Sequence, residues 1–174
     1  MLIVATERLS IRQFTPNDHE FVLTLFNDES FLTNIGDKGV RNTEDAINHL
    51  INGPIASYKE HGFGLYLVCL KDDDTPVGIC GLLKRTEFEY PDLGYAFLPE
   101  YCGKGFAQEA SSIVLKEGVK NHSLCKVLSV TSCTNTRSNH LLKKLGFKFR
   151  EQIQFSNTEN NLYEINLNSK LKLR

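Results

Sequence analysis

The chain has 174 residues with a formal net charge of −1, 41% hydrophobic residues and 24% charged residues. This length predicts one domain over residues 1–174 with a core of its own. The balanced charge argues against a nucleic-acid partner, and no window approaches the roughly 18 continuous apolar residues of a membrane span.

The cysteines and histidines indicate the compartment. The five cysteines form no CxxC pair, and the five histidines show no ligand spacing, so we expect no metal. The start "MLIVATERLSIRQF" lacks the apolar run of a signal peptide, and we expect a reduced, cytoplasmic protein. The basic end "SKLKLR" is interpreted as a frayed terminus.

Strand and helix patterns alternate along the first third of the chain. "RLSIRQF" alternates apolar and polar residues, which predicts a strand. Thr15 to Asp18 supplies an N-cap, a proline at the first helical position and a carboxylate, which predicts a helix. A second helix is predicted from Asn42 or Thr43, with a break at Gly53-Pro54 and an end at Gly62.

The middle of the chain predicts an antiparallel meander. The runs "GLYLVCL", "VGICGLLKR" and "DLGYAFL" are apolar, rich in β-formers and joined by short polar turns. A helix from Gly105 to about Lys120 follows, and then a strand, "KVLSVTSC". Because a helix joins the third meander strand to the next strand, that pair should be parallel, with a crevice beyond the strand ends.

The C-terminal part completes an α+β fold with a mostly antiparallel sheet. "NTRSNHLLKKLGF" predicts a short helix ended by Gly146. "KFREQIQF" and "LYEINLN" predict a closing hairpin.

The stretch "EYCGKGFAQEA" places Gly103 and Gly105 at the start of a helix. Exposed N–H groups at such a start attract phosphate, and glycine allows its close approach. The dinucleotide fingerprint fails because Gln108 stands at the third glycine position, and the P-loop fails because no Ser or Thr follows Lys104. Taken alone, the two glycines are equally consistent with a tight strand-to-helix turn.

Three segments in order resemble GNAT-superfamily N-acetyltransferases, and specifically the RimJ/RimL-type branch that acetylates protein N-termini. They are "TERLSIRQF", "DLGYAFLPEYCGKGFAQEA" and "NTRSNHLLKKLGF". The resemblance implies acetyl-coenzyme A as co-substrate and a sheet splayed between the third meander strand and the parallel strand after it. Glu100 and Cys102 depart from the side chains that relatives carry in the loop.

The resemblance also assigns residues to the coenzyme. It implies that the backbone of Ala96, Phe97 and Leu98 pairs with the pantetheine arm. The residues that it assigns to the diphosphate are Gly103, Lys104, Gly105, Phe106 and Ala107. Lys104 is the best single candidate for a coenzyme phosphate, because a solvated helix face explains most of the basic residues from Arg137 to Arg150 better than a contact with the 3′-phosphate does.

For catalysis, the resemblance places Asn135 against the pantetheine and makes Ser138 the candidate to protonate or hydrogen-bond the leaving thiolate. Asn135 is equally a plausible helix N-cap. Many superfamily members use a tyrosine from this helix, but Leu142 stands at that position here. Asp92 is the first candidate for the base, with Glu87 and Glu89 left open as alternatives on the preceding turn.

The expected function is acetyl transfer to an amine by direct attack in a ternary complex. A protein N-terminus of the ribosomal-protein type is favoured as acceptor, and the protein is expected to be a monomer or homodimer. Small-molecule acetylation and an acyl-coenzyme A sensor on the same fold remain alternatives, as does an unrelated nucleotide-binding protein. Cys102 is interpreted as a packing residue rather than a catalytic thiol.

Overall fold

The computed structural model describes residues 1–167, so the predicted frayed tail lies outside the described residues. Its eight strands form one sheet in the order β1-β2-β3-β4-β5-β6-β8-β7. The strands are β1 (Leu2–Ala5), β2 (Leu9–Arg12), β3 (Leu65–Leu70), β4 (Pro76–Leu83), β5 (Asp92–Phe97), β6 (Lys126–Ser132), β7 (Lys148–Phe155) and β8 (Thr158–Asn166).

Six helices flank the sheet: α1 (His19–Phe26), α2 (Glu29–Asn34), α3 (Thr43–Leu50), α4 (Ala56–His61), α5 (Phe106–His122) and α6 (Thr136–Lys144). The predicted cap ahead of α1 and the predicted start of α3 are confirmed. Thr15 and Asp18 form a capping box ahead of α1, and the Asn42 side chain accepts from the Asp45 N–H at the start of α3. None of the helices within residues 1–167 is long and apolar enough to cross a membrane.

The predicted topology is confirmed in its main feature. All neighbouring strands are antiparallel except β5 and β6, which are parallel and joined by α5. The meander β3-β4-β5 and β7 occur where the sequence predicts them, whereas β8 begins at Thr158, ahead of Leu162, where the predicted last strand starts. The sheet is therefore the mixed, mostly antiparallel one expected from the chain order.

Three local predictions were incomplete or wrong. Strand β1, at the edge of the sheet beside β2, and helix α2, which Asp28 caps, were not predicted. The predicted break at Gly53-Pro54 is found in part, because the α-helix is interrupted there but a π-helical turn over Ile51–Ile55 joins α3 to α4. A wide π turn tolerates a proline that lacks an N–H, so the helical path continues to Gly62.

Two hydrophobic clusters cover opposite faces of the sheet. One contains Phe106 and Val114 of α5 together with Leu142 of α6. The other contains Phe26 of α1 and Leu50 of α3. Side chains alternate along a strand, so Leu67 and Val68 of β3 lie in different clusters, and in β5 Tyr95 packs with the first cluster and Ala96 with the second.

Candidate active site

Strands β5 and β6 touch at one point and then separate. Their only bridge within the described chain pairs Asp92 with Leu128, next to a hydrogen bond of 2.9 Å from the Leu128 N–H to the Pro91 carbonyl. The Ser129 hydroxyl donates to the Leu93 carbonyl at 3.0 Å. Beyond this point β5 stays paired with β4 and β6 with β8, so a wedge opens with Asp92 at its vertex.

Fewer backbone groups of β5 face the wedge than the sequence predicted. The Leu98 N–H donates to the Val77 carbonyl at 3.0 Å, so it points to β4, and by alternation so does the Ala96 N–H. The Leu98 carbonyl accepts from the Tyr101 N–H at 2.9 Å. The backbone groups that face the wedge are therefore those of Tyr95 and Phe97, and the prediction for Ala96 and Leu98 is corrected.

The glycine loop at the mouth of the wedge has the backbone conformation that only glycine adopts readily. Gly103 has φ +76° and Gly105 has φ +82°. A Cβ at Gly103 would meet nothing within 4 Å. Gly105 is the N-cap of α5, and no side chain caps the helix there. The first N–H groups of α5, from Phe106 onward, are thus available to an anion, and a diphosphate fits this cradle.

An arginine that the sequence analysis did not single out holds this loop. Arg8 donates from Nη1 to the Lys104 carbonyl at 3.0 Å and from Nε to the Glu109 carboxylate at 2.8 Å. Its guanidinium lies 4.6 Å from the centre of the Phe106 ring. Glu109 also accepts from the Thr6 hydroxyl at 2.5 Å. The turn before β2 therefore fixes the path of the glycine loop.

The other side chains of the glycine loop differ in their exposure and contacts. Lys104 is exposed, with Nζ 5.3 Å from the centre of the Tyr101 ring. The thiol of half-buried Cys102 faces the Phe97 carbonyl at 3.8 Å, and burial raises its pKa. A raised thiol pKa opposes a nucleophilic role, in agreement with the packing interpretation. Glu100 is exposed, like most of the basic residues between positions 137 and 150.

Helix α6 brings Ser138 against the wedge strand. Its side-chain oxygen lies 2.7 Å from the hydroxyl oxygen of Tyr95, and its N–H donates to the Asn135 side chain at 3.1 Å. Asn135 thus caps α6, as its alternative interpretation predicted. Leu142, one turn further on, is fully buried. Tyr95 was missed because sequence spacing alone does not relate β5 to α6.

Asp92 is a buried carboxylate that forms an ion pair with Arg85. Only 2% of its surface is exposed, and it accepts from the Arg85 Nε at 2.9 and 3.1 Å. Burial raises the pKa of Asp92 to about 6, although the Arg85 charge opposes the rise. The Arg85 guanidinium also lies 5.1 Å from the centre of the Phe155 ring. A carboxylate with such a pKa can accept a proton near neutral pH.

Ser138 and Asp92 are not in contact. Tyr95, the partner of Ser138, packs with the α5 and α6 cluster, whereas Ala96 packs with the α1 and α3 cluster. Asp92 is four residues from Ala96 and therefore shares its face. The Asp92 carboxylate and the hydroxyls of Tyr95 and Ser138 thus lie on opposite faces of the sheet.

A wedge between two parallel strands, a free strand edge beside it and an uncapped glycine-rich helix start define a transferase that uses an acyl-coenzyme A. Residues 8–148 match the family model described as an acetyltransferase (GNAT) domain, and the chain belongs to that family. It is an acetyl-coenzyme A-dependent N-acetyltransferase, as the resemblance implied. The coenzyme, when bound, supplies the acetyl group as a thioester.

Several relatives share most of the chain. An uncharacterized N-acetyltransferase of Bacillus subtilis (strain 168), YoaA, is 29% identical over 147 residues, which cover 84% of this chain and 82% of its own. The crystal structure of a GNAT-family acetyltransferase from Bacillus anthracis is 28% identical, with a TM-score of 0.79 over 95% of this chain and 98% of its own.

The fold is also shared with a more distant enzyme. A RimL ribosomal L7/L12 α-N-protein acetyltransferase, solved in complex with coenzyme A, matches with a TM-score of 0.83 at 13% identity. The match covers 96% of this chain and 98% of that one. At this identity the likeness concerns the fold alone.

Proposed function

We propose that this acetyltransferase modifies the N-terminal α-amine of a protein or peptide, by direct attack of the amine on the thioester in a ternary complex. The observation that carries the proposal is the position of Asp92 at the vertex of the wedge, buried and with a pKa of about 6. This carboxylate is the candidate base.

The strength of this base suits an α-amine better than a lysine. An α-amine with a pKa of about 7.7 to 8.0 is roughly one-tenth neutral at pH 7. A lysine side chain with a pKa of about 10.4 is neutral in fewer than about one molecule in a thousand. A carboxylate of pKa about 6 can take the proton that an α-amine loses during attack, directly or through water.

The two faces of the wedge fit the two ends of the reaction. Asp92 shares a face with the cluster under α1 and α3, next to the segment 27–41 that contains α2 and would contact the acceptor. Ser138 lies on the face of α5 and α6, where it can donate a hydrogen bond to the departing sulfur. The amine would approach from one face of the sheet and the thiolate would leave toward the other. The base and the residue that donates a hydrogen bond to the sulfur can therefore be different residues.

The remaining residues bind and orient. The N–H groups from Gly103 to Ala107 would hold the diphosphate, and the edge of Tyr95 and Phe97 would pair with the pantetheine arm. An N–H on that edge can also stabilise negative charge on the thioester oxygen. Asn135 keeps Ser138 in place by capping α6, and Lys104 is available to a coenzyme phosphate.

A peptide panel tests the acceptor. Thiol release from acetyl-coenzyme A is followed with peptides that carry free α-amines, the same peptides with blocked N-termini but a free lysine, and polyamines. Release that depends on the free α-amine supports the proposal. Release only with polyamines favours a small-molecule enzyme; a spermidine N-acetyltransferase shares this fold at 16% identity and a TM-score of 0.75. Tight coenzyme binding without any amine-dependent release favours a sensor.

A further inference from the structure

A pair of hydroxyl groups spans the gap between the wedge strand and helix α6. The Tyr95 hydroxyl oxygen on β5 lies 2.7 Å from the Ser138 side-chain oxygen on α6. Its other near oxygen, the Ser138 carbonyl, lies at 3.5 Å, at the limit of a hydrogen bond. Tyr95 and Ser138 therefore share one good hydrogen bond with each other.

The surroundings keep both hydroxyls in place and neutral. Burial raises the pKa of Tyr95, so the phenol is protonated at neutral pH. Its ring packs against the cluster under α5 and α6. The Ser138 backbone is held by the Asn135 cap, at 3.1 Å. A fixed pair of neutral hydroxyls has one hydrogen between the oxygens and one hydrogen left over.

The direction of the shared bond decides what the second hydrogen can do. If Tyr95 donates to Ser138, the Ser138 hydrogen is free to point at an anion in the wedge. If Ser138 donates instead, its own hydrogen is consumed and it has none for the sulfur. An anionic sulfur near Ser138 favours the first arrangement, because hydrogen bonds in a chain polarise one another.

We propose that Tyr95 is a positioning residue, which donates a hydrogen bond to Ser138 so that the Ser138 hydroxyl donates to the leaving sulfur. The inference rests on the proposed role of Ser138 in acetyl transfer, but not on the identity of the acceptor. No bond other than hydrogen bonds is made or broken by the pair, and water can supply the final thiol proton. Helix α6 carries Leu142 at the position where many relatives have a tyrosine. In this protein the tyrosine hydroxyl near the site comes instead from Tyr95 on strand β5.

The chain offers a matched control. The Tyr163 hydroxyl on β8 donates a hydrogen bond to the Asn139 side chain on α6, at 2.8 Å. Asn139 follows Ser138 directly, and its side-chain oxygen keeps a second donor, Asn161, at 2.7 Å. Tyr163→Phe therefore removes the same group from a neighbouring contact with the same helix and leaves the Ser138 hydroxyl pair intact.

The first test measures the thiol pKa of bound coenzyme A, from the thiolate absorbance in difference spectra against pH. Losing one neutral hydrogen bond of about 1 kcal/mol corresponds to roughly 0.7 in pKa. We expect Tyr95→Phe and Ser138→Ala each to raise the thiol pKa by at least about half a unit, and Tyr163→Phe to leave it unchanged. An unchanged thiol pKa in Tyr95→Phe would overturn the inference, whatever the acceptor is.

The second test is a double-mutant cycle on turnover. Tyr95→Phe should lower kcat about 5-fold to 10-fold with little change in coenzyme affinity, and should have almost no further effect in a Ser138→Ala background. Tyr163→Phe should act independently of Ser138→Ala. Multiplicative effects of the Tyr95 and Ser138 variants would contradict the pairing. If wild type acetylates polyamines but not peptides, the proposed acceptor fails and the cycle is measured with the polyamine.

Discussion

Replacing Asp92 with asparagine should slow catalysis and stabilise the protein. Asparagine has the shape of a protonated aspartic acid and cannot ionise. The substitution therefore removes the candidate base, and it also removes the free-energy cost of burying an ionised carboxylate in the folded protein. Only 2% of Asp92 is exposed, and burial raises its pKa from 3.8 to about 6. Arg85 is 32% exposed and can be hydrated when its partner is neutral.

The sign of the stability effect follows from the direction of the pKa shift. A carboxyl whose pKa is higher in the folded protein favours folding below pH 3.8, and this contribution is lost as the pH rises through about 6. At pH 8 the ionised Asp92 lowers the free energy of unfolding by about 3 kcal/mol relative to a neutral side chain. At pH 5, where Asp92 is mostly protonated in the folded protein, the same relation gives a decrease in the free energy of unfolding of about half that amount.

Urea unfolding at pH 5 and pH 8 measures the difference. We expect Asp92→Asn to be more stable than wild type by up to about 3 kcal/mol at pH 8 and by about half of that at pH 5. The exposed Asp72, on the turn between β3 and β4, provides the control variant Asp72→Asn, which should show neither effect. Equal stability of Asp92→Asn and wild type at pH 8 would refute the buried-charge interpretation.

Activity provides an independent measurement on the same variant. In wild type, kcat/KM should rise with pH through about 6 as Asp92 loses its proton. Asp92→Asn should lack this limb and turn over roughly 100-fold or more slowly, the usual contribution of a general base. A variant with the full rate and the same pH profile would remove Asp92 from the mechanism.

Three further variants test the loop and the hydroxyl. Gly105→Glu places bulk and negative charge at the helix start and should abolish detectable acetyl-coenzyme A binding; unchanged affinity would refute the diphosphate position. Ser138→Ala should lower kcat about 10-fold to 100-fold and change coenzyme affinity little, because a single hydrogen bond to a charged group contributes about 1.5 to 3 kcal/mol. Arg8→Gln removes the bonds to Lys104 and Glu109, and since Arg8 is half exposed we expect only a few-fold loss of coenzyme affinity, measured by calorimetry. An Arg8→Gln variant that binds as tightly as wild type would show that the loop holds its path unaided.

The sequence predicted the sheet well because its signals are local. Alternating apolar residues, the Thr15 capping box and the glycine that ends α4 each act within a few residues of chain. A full break at Gly53-Pro54 was predicted because a proline normally ends a helix, whereas here a π turn accommodates the proline and the chain stays helical between α3 and α4. The four residues of β1 contain too little pattern to identify a strand.

The candidate site was predictable only where chain neighbours form it. Gly103 and Gly105 were identified because they stand close together at a predicted helix start, within a segment that resembles the cofactor-binding segment of a known family. Tyr95 and Ser138 are 43 residues apart, and Arg8 and Glu109 are 101 apart. Such pairs meet only after the fold has formed, and local patterns do not report them. The direction of backbone groups on β5 likewise depends on its pairing with β4.

The most direct test is a calorimetric titration of the purified protein with acetyl-coenzyme A, beside two glycine variants. Gly105→Glu adds a carboxylate where the diphosphate would lie. Gly39→Glu adds the same group at another glycine with positive φ, +70°, where a Cβ meets nothing within 4 Å. We predict one coenzyme per chain for wild type and for Gly39→Glu, and no binding for Gly105→Glu. Equal binding by all three proteins, or no binding by wild type, would contradict the placement of the coenzyme at the start of α5.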